Sequence, residues 1–247
     1  MNSKELFQAG KLAEAIQALG AELRDNPADA KRRTFLFELL CFAGEYDRAE
    51  KHLDILAQGG NEAELGALLY RAAMHAERTR DELFQKKEYP RAALDGTEPP
   101  TVSGTINGKP FEALEDGDPR IGARLEVYAA GQYLWIPLQH IASVEMQAPR
   151  RLRDLLWAPA LVRTGPSFKD KELGEVLVPV LSPLAHRHPD DAVRLGRMTE
   201  WQETEDGDVV PVGQKMLLVD GEDFPVLELR RLEIAATDDA GESHATA

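Results

Sequence analysis

The spacing of apolar positions along this chain changes near residue 88. Before it, apolar residues recur at helical intervals; after it, they alternate with polar ones or fall in short runs between Gly, Pro and Asp. The first pattern predicts a short helix near residues 3–9, stopped by Gly10. A second, near 11–25, carries Leu12, Ala15, Ile16, Leu19 and Leu23 on one face. Asn26-Pro27 ends it, and Pro27 suits the first position of a new turn. A third helix, near 28–43, carries Phe35, Leu36, Leu39, Leu40 and Phe42. A fourth begins after Gly44, with Ala49, Leu53 and Leu56 inward, and Gly59-Gly60 closes it. A fifth, longer helix, near 62–87, sets Leu65, Leu68, Leu69, Ala72, Ala76 and Leu83 on one stripe.

Tyr89-Pro90 stops this helix and Glu98-Pro99-Pro100-Thr101 reads as a linker. Asn107-Gly108 is a hairpin turn signal. Asp116-Gly117-Asp118-Pro119 is a further turn. Leu125, Val127 and Ala129 alternate with polar neighbours, and Gly131 leads into Gln132-Tyr133-Leu134-Trp135-Ile136-Pro137-Leu138, the pattern of a meander. Short apolar runs follow at 160–162, 176–181, 214–219 and 224–229, with Asp220-Gly221 between the last two. Prolines 137, 179, 211 and 225 are expected at strand ends or edges. Many short strands between turns favour a small antiparallel sheet or barrel.

Within the helical half one phrase occurs twice. Gly10-Lys11-Leu12-Ala13-Glu14-Ala15-Ile16 returns 34 residues later as Gly44-Glu45-Tyr46-Asp47-Arg48-Ala49-Glu50, the period of a tetratricopeptide repeat. Such repeats bury one face and present another to a partner. The helices amount to one and a half to two repeats, fewer than a free-standing array needs, so they are expected to lean on the rest of the chain.

Composition narrows the function. No apolar run is long enough to span a membrane, and the polar start is no secretory signal. One cysteine, Cys41, forms no disulfide within the chain and suits a reducing cytoplasm; it reads as a small core residue. The net charge is −14, with −3 on residues 1–89 and −11 on the remainder, which argues against nucleic acid as a partner.

Chemistry is sparse. No nucleophile elbow, phosphate loop or dinucleotide fingerprint occurs, and the carboxylate pairs Glu115-Asp116 and Glu222-Asp223 sit in turn sequences. His186, His188, Asp190 and Asp191 could in principle hold a metal for a hydrolase, but their spacing matches no helical zinc motif and Pro189 marks a loop. Lys31-Arg32-Arg33 is the densest basic cluster, and would suit a co-chaperone that clamps an acidic peptide terminus. Trp157 and Trp201 each stand in arginine-containing motifs; both are expected to hold the β-rich half together or seat it against the helices, with use at a partner interface as the alternative.

Three stretches together are distinctive: Arg33-Thr34-Phe35-Leu36-Phe37-Glu38-Leu39-Leu40-Cys41-Phe42-Ala43-Gly44, Leu152-Arg153-Asp154-Leu155-Leu156-Trp157-Ala158-Pro159-Ala160, and Leu195-Gly196-Arg197-Met198-Thr199-Glu200-Trp201. With the repeated glycine phrase, they resemble the ImpE family, also named TagJ, accessory proteins of bacterial type VI secretion. The resemblance implies a cytoplasmic, non-enzymatic role around the contractile sheath. It implies as partner an N-terminal helix of the small sheath subunit, with links to the AAA+ unfoldase ClpV, and it brings no catalytic residues, cofactor or metal.

The expected fold is therefore α+β: a tetratricopeptide-like helical domain over 1–88, a β-rich domain over 101–234, and a disordered tail over 235–247. The expected mode of binding is a partner helix laid in an apolar groove. The third helix and its rim supply the expected contact residues, Arg32, Arg33, Phe37 and Leu40.

Overall fold

A capping box opens the first helix, α1 (Ser3–Gln8): the Asn2 side chain accepts from the Glu5 amide, and the Glu5 carboxylate accepts from the Asn2 amide. Four more helices complete the N-terminal half of the computed structural model, which describes residues 1–89, 99–165 and 173–235. They are α2 (Leu12–Asp25), α3 (Ala30–Phe42), α4 (Tyr46–Ala57) and α5 (Asn61–Lys86). Asp29 caps α3 by accepting from the Arg32 amide. The two repeated glycines, Gly10 and Gly44, take φ of +77° and +71° at the turns into α2 and α4. A side chain there would be strained, which is why the phrase repeats with glycine in place.

Helix α3 is buried from Leu36 through Phe42 without interruption. A helix buried all round has neighbours on every side. Here α2 and α4 flank it, and its remaining face joins the core shared with the strands.

The strands are β1 (Gly104–Ile106), β2 (Lys109–Phe111), β3 (Leu114–Asp116), β4 (Arg124–Ala129), β5 (Gln132–Pro137), β6 (Ile141–Met146), β7 (Trp157–Thr164), β8 (Gly174–Pro179), β9 (Thr199–Glu203), β10 (Val209–Gly213), β11 (Met216–Val219), β12 (Glu222–Pro225) and β13 (Arg231–Ile234). Eight of them form one antiparallel sheet in the order β2-β1-β13-β6-β7-β8-β4-β5. The others form a three-stranded sheet, β12-β11-β3, and a two-stranded ribbon, β9 with β10. Asn107-Gly108, Ala130-Gly131 and Asp220-Gly221 each have two consecutive positive φ values, the two-residue turn that matches strand twist. Pro137, Pro179 and Pro225 end their strands, and Pro211 lies within the ribbon opposite Trp201.

Alternation along the large sheet sorts two cores. Leu125, Val127, Ile136, Val144, Val162 and Val178 face one. Tyr128, Tyr133, Trp135 and Trp157 face the other, which they share with the helices. Strand β4 is thus buried on both faces, although only its apolar positions read as core in sequence. Of the expected tail at 235–247, Ala235 is described, its amide donating to the Ser103 carbonyl at 2.9 Å, and 236–247 lie outside the described residues. Among the described residues no helix is long and apolar enough to cross a membrane.

Candidate functional site

The segment between β8 and β9 ties the strands to the repeat turns. It contains a short helix, α6 (Asp191–Arg194). Arg197 donates to the carbonyls of Phe7 and Gln8, at 2.8 and 3.0 Å, and stacks over the Phe7 ring. These are carbonyls at the end of α1, where a cation is favoured. His186 packs on the second repeat turn so closely that a Cβ on Gly44 would lie 2.3 Å from its ring. Helix α2 lacks a side-chain cap of its own, and Asp191 accepts from the Ala13 amide at 3.3 Å instead. The polar sequence 186–197 is therefore a clamp on the helices. Its histidines and carboxylates do not converge on a metal: His186 lies 3.7 Å from Asp81, whereas His188 faces Glu200 and Gln202. Burial also holds the His186 pKa below its ordinary value.

Beneath α5 lies a cluster of buried charge. Arg80 is 1% exposed and grips the Glu126 carboxylate with two nitrogens, both at 2.8 Å. Its remaining nitrogen reaches Glu77 at 3.1 Å and the Leu181 carbonyl at 3.0 Å. Lys215 pairs with both Glu126 and Asp116. Tyr133 donates to Glu126, while Tyr128 and the Trp157 indole donate to Glu77 at 2.6 and 2.9 Å. Burial pushes the Glu126 pKa up, but Arg80 and Lys215 outweigh it and hold the carboxyl below its usual range. For Asp116 burial wins, and its pKa is raised. Such an arrangement resembles an active site in its residue types. It is nevertheless sealed from solvent, and its members bond to one another, so it joins α5 to the sheet.

A second buried acid sits on α3. Burial pushes Glu38 up to about 7, against the pull of Arg153 3.8 Å away. Its folded pKa exceeds the 4.5 of a free glutamate, so between these two values the folded chain holds a proton that the unfolded chain has released. Stability therefore falls as pH rises through that window. Replacing Glu38 with Gln is expected to raise the melting temperature at pH 8 and to leave it near the parent's at pH 5. Equal shifts at the two pH values would contradict this.

The open surface lies on α5. Leu65, Leu68 and Leu69 are 69%, 62% and 50% exposed, with Ala72 one turn further along the same stripe. Further along the same stripe Ala76 is buried and Leu83 packs on the core, so only its N-terminal part is open. The opposite side of α5 faces α4, through buried Ala67 and Met74 and the pairs of Arg71 with Asp54 and Arg78 with Asp47. A third side, with Glu77, Arg80 and Phe84, faces the sheet. Between the open stripe and the sheet runs a groove of about 500 Å³, walled by Leu69, Ala72, Tyr128, Ala160 and Leu177, with Glu145 and Glu175 at its edge. Gly131 brings the β4–β5 turn close to α5, where a Cβ would touch the Ala72 Cβ at 3.4 Å.

Similarity to known proteins agrees with both halves. Residues 6–72 match the tetratricopeptide repeat family and residues 108–233 match the family described as ImpE protein. A Pseudomonas aeruginosa protein, the type VI secretion system accessory component TagJ, is 31% identical, over 96% of this chain and 92% of its own length. The chain belongs to the ImpE family. A crystal structure of a Vibrio parahaemolyticus protein shares the fold of this ImpE chain, with a TM-score of 0.81 over 94% of this chain and 97% of that one, at 22% identity.

In this ImpE chain the four residues expected at the partner site have different fates. Phe37 and Leu40 are 1% and 0% exposed, so they belong to the core and line no open groove. Arg32 pairs with Glu22 and Asp29, holding α2 to α3, and Arg33 reaches the Pro27 carbonyl and His52. Of the basic cluster, Arg32 is thus in part committed to the α2–α3 junction, and Arg33 to the turn before α3 and to α4. The exposed leucines were visible in sequence, but a stripe's pattern does not reveal whether its neighbour is present.

Proposed function

We propose that this protein is a non-enzymatic accessory component of a cytoplasmic type VI secretion machine, and that it holds a helix of the small sheath subunit against the open face of α5. The observation that carries the reading is an unfinished repeat. Helices α1 with α2 and α3 with α4 form two helix pairs, and α5 begins a third for which no second helix packs on its open face among the described residues. Leu65, Leu68, Leu69 and Ala72 occupy the i, i+3, i+4 and i+7 positions where such a helix would pack. Arrays bury each repeat against the next, and an uncapped end exposes apolar surface. An amphipathic helix from a partner would supply the missing half. The accessory role rests on similarity to TagJ, and a link to the unfoldase ClpV rests on the family resemblance.

The test is co-purification of the full chain with a carrier protein fused to the N-terminal helix of the small sheath subunit. Changing Leu65 and Leu69 to Asp is expected to weaken retention on the order of 100-fold or more, since each leucine contributes about 1.5–3 kcal/mol when buried. Because both are exposed, the melting temperature should stay near the parent's. Reversing Arg32 and Arg33 to Glu should leave retention within a few-fold. The opposite ranking would place the partner on α3.

A further inference from the structure

A separate surface carries the opposite charge character. Between α2 and the start of α4 lies a hollow of about 400 Å³, into which Arg24, Arg48 and Arg194 project from three different elements. None of the residues lining it takes part in the open face of α5. We propose that this hollow binds an extended acidic peptide segment, whose carboxylates are received by Arg24, Arg48 and Arg194.

Arg24 and Arg48 have capacity to spare, and Arg194 adds its charge. Arg24 has no ion-pair partner among the described residues and is exposed at the last turn of α2. Arg48 pairs with Glu45, an i,i+3 neighbour, while its side chain stays 53% exposed. Exposed pairs of this kind are weak and exchange readily for a better partner. Arg194 pairs with Asp191 at 2.9 Å, donates to the Ala43 carbonyl at 3.5 Å and stays partly exposed, so it adds positive charge at the rim of the hollow. A guanidinium is a planar fork suited to carboxylates, and three of them outnumber the two acids that now face them, Glu45 and Asp191. The protein as a whole is at −14, so this local excess of cations is set against the general field.

The floor favours a peptide over a small anion. It follows one face of α2, where Ala13 and Gly20 are small and Ile16 is apolar. A Cβ built on Gly20 would meet nothing within 4 Å, so a backbone can lie close there. A hollow of this size exceeds one phosphate group, and no glycine-rich loop contracts around its centre. An adjoining hollow carries three acids, Glu14, Asp190 and Asp191, against Lys11 and Arg194, each of which is already paired with one of them, so the Arg24 end is the more favourable for acidic residues.

The experiment uses the full chain with fluorescein-labelled hexaglutamate and hexaglutamine, read by anisotropy at low and moderate salt. Hexaglutamate is expected to bind at least about tenfold more tightly than hexaglutamine and to weaken as salt rises. The double change Arg24→Glu, Arg48→Glu should weaken it at least about tenfold again, with an unchanged melting temperature, because both side chains are exposed. Equal binding of the two peptides would overturn the proposal. So would a double variant that binds like the parent, or inorganic phosphate saturating the site while hexaglutamate does not bind.

Discussion

Replacing Arg80 with Met is expected to destabilise the protein by about 3–5 kcal/mol, the cost of leaving a buried charge without its partner. Arg80 is the only described residue that bonds to both Glu77 and Glu126, one on α5 and one in β4. Without it Glu126 keeps Lys215 and Tyr133, and Glu77 keeps Tyr128 and Trp157, but two carboxylates then share a sealed site with one cation fewer. In a chain of this size the loss corresponds to about 6–20 °C in melting temperature. Urea unfolding measures it directly. A second change, Glu126→Leu, should return part of the loss, because a buried ion pair replaced as a unit costs far less than one broken in half. The exposed pair of Lys86 with Glu82 provides the contrast, and Lys86→Met should leave the midpoint almost unmoved. An Arg80→Met variant that unfolds with the parent would show that the cluster does not join helix to sheet.

The difference between Arg80 and Lys86 is also the difference between what could and could not be read in the sequence. Helix positions, the repeat period and the turns at Asn107-Gly108 and Asp220-Gly221 depend on neighbours a few residues apart, and the structure has them where the pattern put them. The charge cluster depends on Glu77 and Glu126, 49 positions apart in sequence, meeting across two elements. Glu126 alternates with Leu125 and Val127 and so reads as the solvent side of an ordinary strand, because nothing local shows that a helix covers that side. One signal was present: Glu77, Arg80 and Asp81 interrupt an otherwise helical apolar stripe on one side of α5, where polar residues are costly unless they are paired. The open face shows the same limit in reverse. Leu65, Leu68 and Leu69 have the spacing of a buried stripe, and they are surface because none of the described helices packs against them.

The two tryptophans, alike in sequence context, should separate sharply on mutation. Trp157 is 3% exposed, stacks on Tyr70 with 6.4 Å between ring centroids, and donates to Glu77. Trp157→Ala is expected to cost about 3–5 kcal/mol, from lost burial and the cavity left behind. It also strips Glu77 of one of its donors, so the effect should not add to that of Arg80→Met, since both act on the same carboxylate. Trp201 was expected to be core as well, but it is 40% exposed on the β9–β10 ribbon. A two-stranded ribbon has a face with no layer above it, so the indole lies across the turn at Gly117, where a Cβ would come within 3.2 Å of the ring, and it donates to Asp223 at 3.3 Å. Trp201→Ala should therefore cost only about 1 kcal/mol, the share expected from partial burial. Thermal and urea unfolding of the two variants side by side gives the ranking. Equal losses would mean that the ribbon is as much a part of the core as the helix–sheet junction. A loss confined to Trp157 would locate the stability of the fold where Tyr70, Glu77 and Trp157 meet.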